Sequence, residues 1–152
     1  MRHFLNICGL LLATCLCQQV GAEDLAIVAN VPSGAALNPG YAVTLLRGDN
    51  QNWDGGTDAR VVLPSRESPI YAKVAEVIFG TTGKRMQRTW FRLVFSGRVN
   101  APTYLGSDRE VVEFVRRYPG AIGVIALPST RPDGISLIRL NRHGGADAIA
   151  HH

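Results

Sequence analysis

The chain has 152 residues, 46% of them hydrophobic and 18% charged, with a formal net charge of +4. From residue 23 onward it is long enough for one domain with one core, and its scattered basic residues lack the dense, aromatic-interleaved patch that nucleic-acid binding requires. The three cysteines, Cys8, Cys15 and Cys17, all lie near the N-terminus, so a domain that begins after them has neither disulfide nor thiol chemistry.

In chain order, Met1-Arg2-His3 leads into the apolar stretch Phe4 to Cys17, and Val20-Gly21-Ala22 follows with small residues suited to a signal peptidase. Basic start, short apolar core and small-residue end predict a cleavable secretory signal over residues 1–22. The apolar stretch is shorter than the ~20 residues that span a bilayer. Leu12-Ala13-Thr14-Cys15 is similar to a lipobox, with Thr14 where a smaller residue is usual. A lipid anchor at Cys15 is therefore the alternative.

Leu25 to Val31 reads as a buried strand, bounded by Pro32-Ser33-Gly34. Residues 41–47 predict a short helix ended by Gly48, and Asp49 to Gly56 a turn anchored by Trp53. Arg60 to Leu63 is the second predicted strand. Ile70, Val74, Val77 and Ile78 recur at helical spacing, which predicts a helix over 69–79 with Pro69 in its first turn. Met86, Trp90, Leu93 and Val94 repeat that spacing up to Ser96-Gly97. Trp90 shares its face with Met86 and Leu93, so it is expected in the core. Lys84, Arg85, Arg88 and Arg92 form the one local basic cluster, expected as the solvated face of the same helix.

Ser107-Asp108-Arg109-Glu110 forms a capping box ahead of Val111, Phe114, Val115 and Tyr118, and Pro119-Gly120 stops that helix. Ala121 to Leu127 is a continuous apolar run, as in a strand buried on both faces. Ile135 to Leu140 is the last predicted strand. Residues 141–152 have no periodicity and are expected to form a mobile tail. Strands alternating with helices predict an α/β fold with a mostly parallel sheet in one domain over residues 23–140.

Several segments together carry a resemblance. Leu46-Arg47-Gly48, Trp53-Asp54-Gly55-Gly56, Val61-Val62-Leu63-Pro64, Ser65-Arg66-Glu67-Ser68-Pro69, Trp90 to Gly97, and Pro119 to Ile125 follow in an order and spacing that resembles the phosphate-binding-protein-like family. These are the solute receptors of bacterial phosphate ABC transporters and their short relatives. The resemblance spans Leu25 to Leu140. It implies a single three-layer lobe of the type II periplasmic-binding-protein kind, with Trp53 as a structural tryptophan. Full receptors of the family close two lobes on the ligand, and the matching segments come mostly from their second lobe. A half-made cleft loses burial of the ligand.

In that family an anion-binding turn reads Arg, two residues, then Gly-Ser-Gly-Thr, and opens a helix. Amides at a helix N-terminus carry partial positive charge and receive an oxyanion. Ser68 matches the family's serine, while Pro69 and Ile70 replace the Gly and Thr that follow it. Arg66 stands two residues before Ser68 rather than four, and without a gap Pro64 takes the arginine's place. The resemblance therefore implies Ser65, Arg66, Ser68 and Ile70 as candidate ligand-binding residues. Asn30 and Ser33, after the first strand, are candidates for further donors across from Ser68. The other reading is that Ser65 and Ser68 only cap the helix.

No catalytic constellation stands out: His143, His151 and His152 all fall in the tail, and no glycine loop with a lysine is present. No enzyme activity, metal or cofactor is expected. The partners that the resemblance implies are inorganic phosphate or a similar anion, and the membrane subunits of an ABC transporter or an envelope protein. Two functions stay open, an exported solute-binding domain and a ligand-free periplasmic interaction module with the same fold. Mass spectrometry of the native protein is expected to find Glu23 as its first residue. A retained Met1 would refute the cleavable signal, and a lipidated Cys15 would replace it by the lipid anchor.

Overall fold

The computed structural model describes residues 24–140 and 146–147. The expected signal segment, and the expected tail apart from Ala146–Asp147, lie outside the described residues. The elements are β1 (Leu25–Ala29), α1 (Pro39–Arg47), β2 (Arg60–Pro64), α2 (Tyr71–Phe79), α3 (Gly83–Phe95), β3 (Thr103–Leu105), α4 (Asp108–Arg117), β4 (Ala121–Ala126), β5 (Ser136–Leu140) and β6 (Ala146–Asp147).

Local chemistry sets the helix ends. The Asn38 side chain accepts the Tyr41 amide at 2.8 Å, and Pro39 enters the first turn, so α1 starts two residues before the expected position. Gly48 closes it in the left-handed conformation. A Cβ at Gly48 would lie 2.9 Å from the Leu93 side chain and 3.1 Å from the Trp90 ring, so this glycine also lets α1 end tightly against α3. In α4 both halves of the capping box form, as the sequence predicts.

The sheet order is β3-β2-β4-β1-β5-β6. β2 pairs in parallel with β3 and β4, whereas β1 pairs antiparallel with β4 and β5, and β5 antiparallel with β6. Strands β3, β2, β4 and β5 therefore share one direction and β1 and β6 oppose it. The fold is α/β with most strands pointing the same way, and with a reversed strand, β1, in the middle of the sheet.

Strand alternation sorts the side chains into two cores. Leu25, Ile27 and Ala29 of β1, with Leu63, Ile122 and Val124, face α1, α2 and α3, and meet Leu45, Leu46, Val74, Ile78, Met86 and Trp90. Ala26 and Val28, with Val62 and Ile125, face α4 through Val111 and Val115. Gly123 makes the second contact close: a Cβ there would come 2.8 Å from Val111 Cγ1. The result is three layers, helices on both faces of the sheet.

Both tryptophans are core residues, as expected. Trp53 is 2% exposed and its Nε1 donates to the Gly120 carbonyl at 2.9 Å, which ties the Asp49–Gly56 turn to the start of β4. Gly120 has φ +79°, and a Cβ would stand 2.7 Å from the Asp58 carbonyl oxygen. No other residue fits there without strain. Trp90 is 1% exposed beside Met86. Its Nε1 has no protein hydrogen-bond partner, so the ring contributes by packing alone.

Trp90→Ala is expected to cost roughly 3–5 kcal/mol, the range for truncating a large buried aromatic. Trp90→Phe should cost clearly less, because it removes an unsatisfied buried N–H along with part of the ring. Chemical denaturation of the two variants checks both. Equal losses would show that the indole N–H is satisfied in solution.

Candidate functional site

The chain leaves β2 toward α2 on one face of the sheet and leaves β3 toward α4 on the other. These two strands are parallel neighbours. Their connections part at the carboxyl ends, through the turn at 65–70 and the turn at Gly106-Ser107, and the Ser65 amide bonds the Leu105 carbonyl between them. This is the topological switch point at which open α/β sheets place ligands.

The β2–α2 connection is two successive turns held by the backbone. The Ser68 amide donates to the Ser65 carbonyl and the Tyr71 amide to the Ser68 carbonyl, each at 3.1 Å. Helix α2 begins only after them. Its N-cap is Ile70, with no side-chain cap hydrogen bond. The expectation that Ser65 or Ser68 caps this helix is thus corrected: the double turn consumes the residues between the serines and the first helical amides. Pro69 likewise stands outside the helix and not in its first turn.

The candidate residues fall as follows. Ser65 sits beside the second turn, its amide bonded to the Leu105 carbonyl at 2.8 Å. Its hydroxyl donates to Glu67 Oε2 at 2.6 Å. Arg66 is exposed and reaches α3, where Nε and Nη2 both donate to Gln87 Oε1 at 3.0 and 2.5 Å. Ser68 is buried at 7% exposure, and Ile70 is in the core beneath the turn. Ser65, Arg66 and Ser68 thus share one turn, but the Arg66 guanidinium goes to α3 and Ile70 to the core.

Asn30 and Ser33 are not with them. Because β1 runs antiparallel to β4, its carboxyl end lies beside the amino ends of β2 and β4: Ala29 pairs with Ile122, and Arg60 with Ala121. Asn30 exchanges backbone bonds with Gly120 and Ala121, and its Nδ2 donates to the Arg116 carbonyl at 3.2 Å. The 65–70 turn is at the other end of the sheet. A parallel β1 would have brought Asn30 and Ser33 to the same end of the sheet as Ser68, and the reversed strand sends them to the opposite end.

The structure adds three residues that the sequence reading did not single out. Glu67 folds back onto Ser65 and its own amide. Gln87 holds Arg66. Glu110 takes the amide and hydroxyl of Ser107 on Oε2, at 3.0 and 2.8 Å. A Cβ on Gly106 would stand 3.7 Å from both Glu110 Oε2 and Ser65 Oγ, so the two turns touch. Glu110 was legible as half of a capping box but not as a neighbour of the 65–70 turn. Glu67 carried a local signal, a serine two residues before a carboxylate in a turn. Among the described residues no group of three or more His, Cys, Asp or Glu could hold a metal ion.

The 65–70 turn carries an exposed carboxylate of its own, Glu67, beside Ser65 and Arg66. The Ser65 hydroxyl, then the Glu67 backbone amide and the Arg66 charge, hold the Glu67 carboxyl below its ordinary range. Burial, and secondarily Tyr71, push the Tyr104 hydroxyl on β3 upward. A depressed carboxyl stabilises the fold above the ordinary carboxylate range, and that contribution is lost as pH falls through the depressed value. In Ser65→Ala the Glu67 carboxyl is expected to titrate at higher pH than in the parent. A carboxyl-carbon NMR titration reads this directly, and an unmoved midpoint would show that Ser65 is not the chief cause.

No family model matches the chain, and no curated protein matches it. Among solved structures it is similar to the crystal structure of PstS from Borrelia burgdorferi, at 18% identity and a TM-score of 0.49 over 69% of this chain and 41% of that one. It is also similar to an ABC-type phosphate transport receptor from Vibrio cholerae, at 16% identity and a TM-score of 0.45 over 76% of this chain and 45% of that one. The chain spans less than half the length of either structure.

Proposed function

We propose that the protein is an exported accessory module, one lobe of the binding-protein kind whose oxyanion turn is filled by its own carboxylate. Export rests on the signal pattern of residues 1–22. The observation that carries the rest is the Glu67 carboxylate on the Ser65 hydroxyl and on its own amide, beside Arg66. The Ser65 hydroxyl, one of the donors that would receive a phosphate oxygen, is already engaged, and a second negative charge a few ångströms away is repelled. Arg66, the one residue that offers a bidentate fork, has its fork on Gln87. Ile70 supplies no hydroxyl where the family has threonine. An anion entering the turn must displace Glu67, and no second lobe in the described residues buries it.

One observation favours the rival reading, in which the turn binds phosphate or a related oxyanion for ABC-type transport. Helix α2 has no side-chain cap, so its first amides remain available to an acceptor. In this reading Ser65, Arg66 and Ser68 are the side-chain donors, and ABC-transporter membrane subunits are the partners. Asn30 and Ser33 take no part.

Titration with phosphate and with sulfate, read by amide chemical shifts, separates the two. The parent protein is expected to show no saturable shift at residues 65–71 up to millimolar anion. Glu67→Gln, which removes the intrinsic charge, is expected to bind measurably better. Saturable shifts in the parent would overturn the proposal in favour of the receptor. Arg66→Ala should then weaken binding by roughly 10-fold to 100-fold, since a hydrogen bond to a charged group contributes about 1.5–3 kcal/mol.

A further inference from the structure

Away from the switch point, a second feature of the surface is strongly polarised. A cavity of about 600 Å³ lies between the ends of α1 and α2 and the side of α3, lined by Arg47, Arg85, Arg88 and Arg92, with Thr81 and Asp49 at its edge. Arg47 arrives from α1 because Gly48 lets that helix end against Trp90 and Leu93. Its Nε donates to the Ile78 carbonyl at 2.5 Å, which fixes the guanidinium at the rim. The ion pairs seen among the described residues, Lys73–Glu76 and Arg109–Glu113, involve none of these four arginines. Asp49 is the one carboxylate in the lining.

The same helix carries an apolar counterpart. Phe91 and Phe95 are 64% and 75% exposed, and their rings stack at 4.2 Å between centroids. With Trp90 pointing inward, Phe91, Lys84, Phe95, Arg88, Arg92 and Arg85 succeed one another over roughly 120° of the outer surface of α3. All six are exposed. A solvated face accounts for the charges but not for two stacked phenyl rings in water among them. An acidic polypeptide would satisfy the arginines, yet it gains little from aromatic rings set on the convex side of the helix.

We propose that this face of α3 docks on an anionic lipid bilayer, with Arg88, Arg92 and Arg85 over the phosphate headgroups, Arg47 closing the cavity around one of them, and Phe91 and Phe95 entering the acyl boundary. Basic residues beside large apolar ones on one surface helix are the pattern of interfacial binding. The attraction is local and screened by salt, because the charges sit within a Debye length of the membrane. This surface is distinct from the 65–70 turn and does not depend on what that turn binds.

The test places a reporter on the helix. Trp53 and Trp90 are 2% and 1% exposed, so in Phe91→Trp of the chain that begins at Glu23 the indole introduced at position 91 is the exposed one among the described residues. Its emission is expected to shift to the blue on vesicles of phosphatidylglycerol and phosphatidylcholine, to stay unchanged on phosphatidylcholine alone, and to revert at high salt. Adding Arg88→Gln and Arg92→Gln to the reporter chain should lower partitioning to the anionic vesicles about 30-fold. The proposal is overturned by no shift, by an equal shift on both vesicles, or by a shift that survives loss of the two arginines. It is also overturned if soluble polyglutamate produces the shift without lipid, which would make an acidic polypeptide the partner.

Discussion

The placement of β1 decides most of this structure. All five of its residues are buried, both of its edges are bonded, and its two faces belong to different cores. It joins the parallel strands β2, β3 and β4 to β5 by running against them. Burying an unpaired backbone amide is costly, so a strand in this position must be paired on both sides in register, and the register fixes which side chains meet the helices above and below. The reversal also fixes which ends of the sheet can cooperate. It sends the β1 turn, with Asn30, to the amino ends of β2 and β4, and leaves the carboxyl ends of β2 and β3 to their own turns.

Where side-chain pattern is strong, the sequence was a good guide. The capping box at Ser107 and Glu110, the inward stripe of Met86 and Trp90, and the continuous apolar β4 all appear as read, because each is decided within one element. Strand direction was not legible. An apolar run such as Leu25 to Ala29 has the same composition whether it runs parallel or antiparallel, and only partners more than ninety positions away, at Ala121–Ala126 and Ser136–Leu140, decide it. Strand β3 was not legible either. Thr103–Leu105 is only partly covered and too short for alternation to register.

The turn at 65–70 shows a different limit. The family resemblance pointed to the β2–α2 connection, where the structure puts the Ser65 hydroxyl on Glu67, the Arg66 fork on Gln87, and Ser68 in a buried position. What the resemblance could not supply was the state of the donors. Pro69 and Ile70 precede α2, which starts at Tyr71, and the residue between Arg66 and Ser68 is a carboxylate long enough to fold back onto Ser65. The Glu67 carboxylate accepts the Ser65 hydroxyl within the turn itself. Only the three-dimensional path of the side chain reveals that.

The margins of the sheet have a further consequence. A sheet whose central strands are this apolar would be a ready template for strand addition if a long edge were open. Here the edge at β3 offers three residues, and Tyr104 is 38% exposed on it. The β5 edge is partly covered by the two residues of β6. Very short edge strands of this kind resist edge-to-edge growth. The architecture therefore keeps its apolar centre away from neighbouring molecules without using an edge proline or a lysine in β3, and copies of the chain can crowd at a surface without their sheets merging.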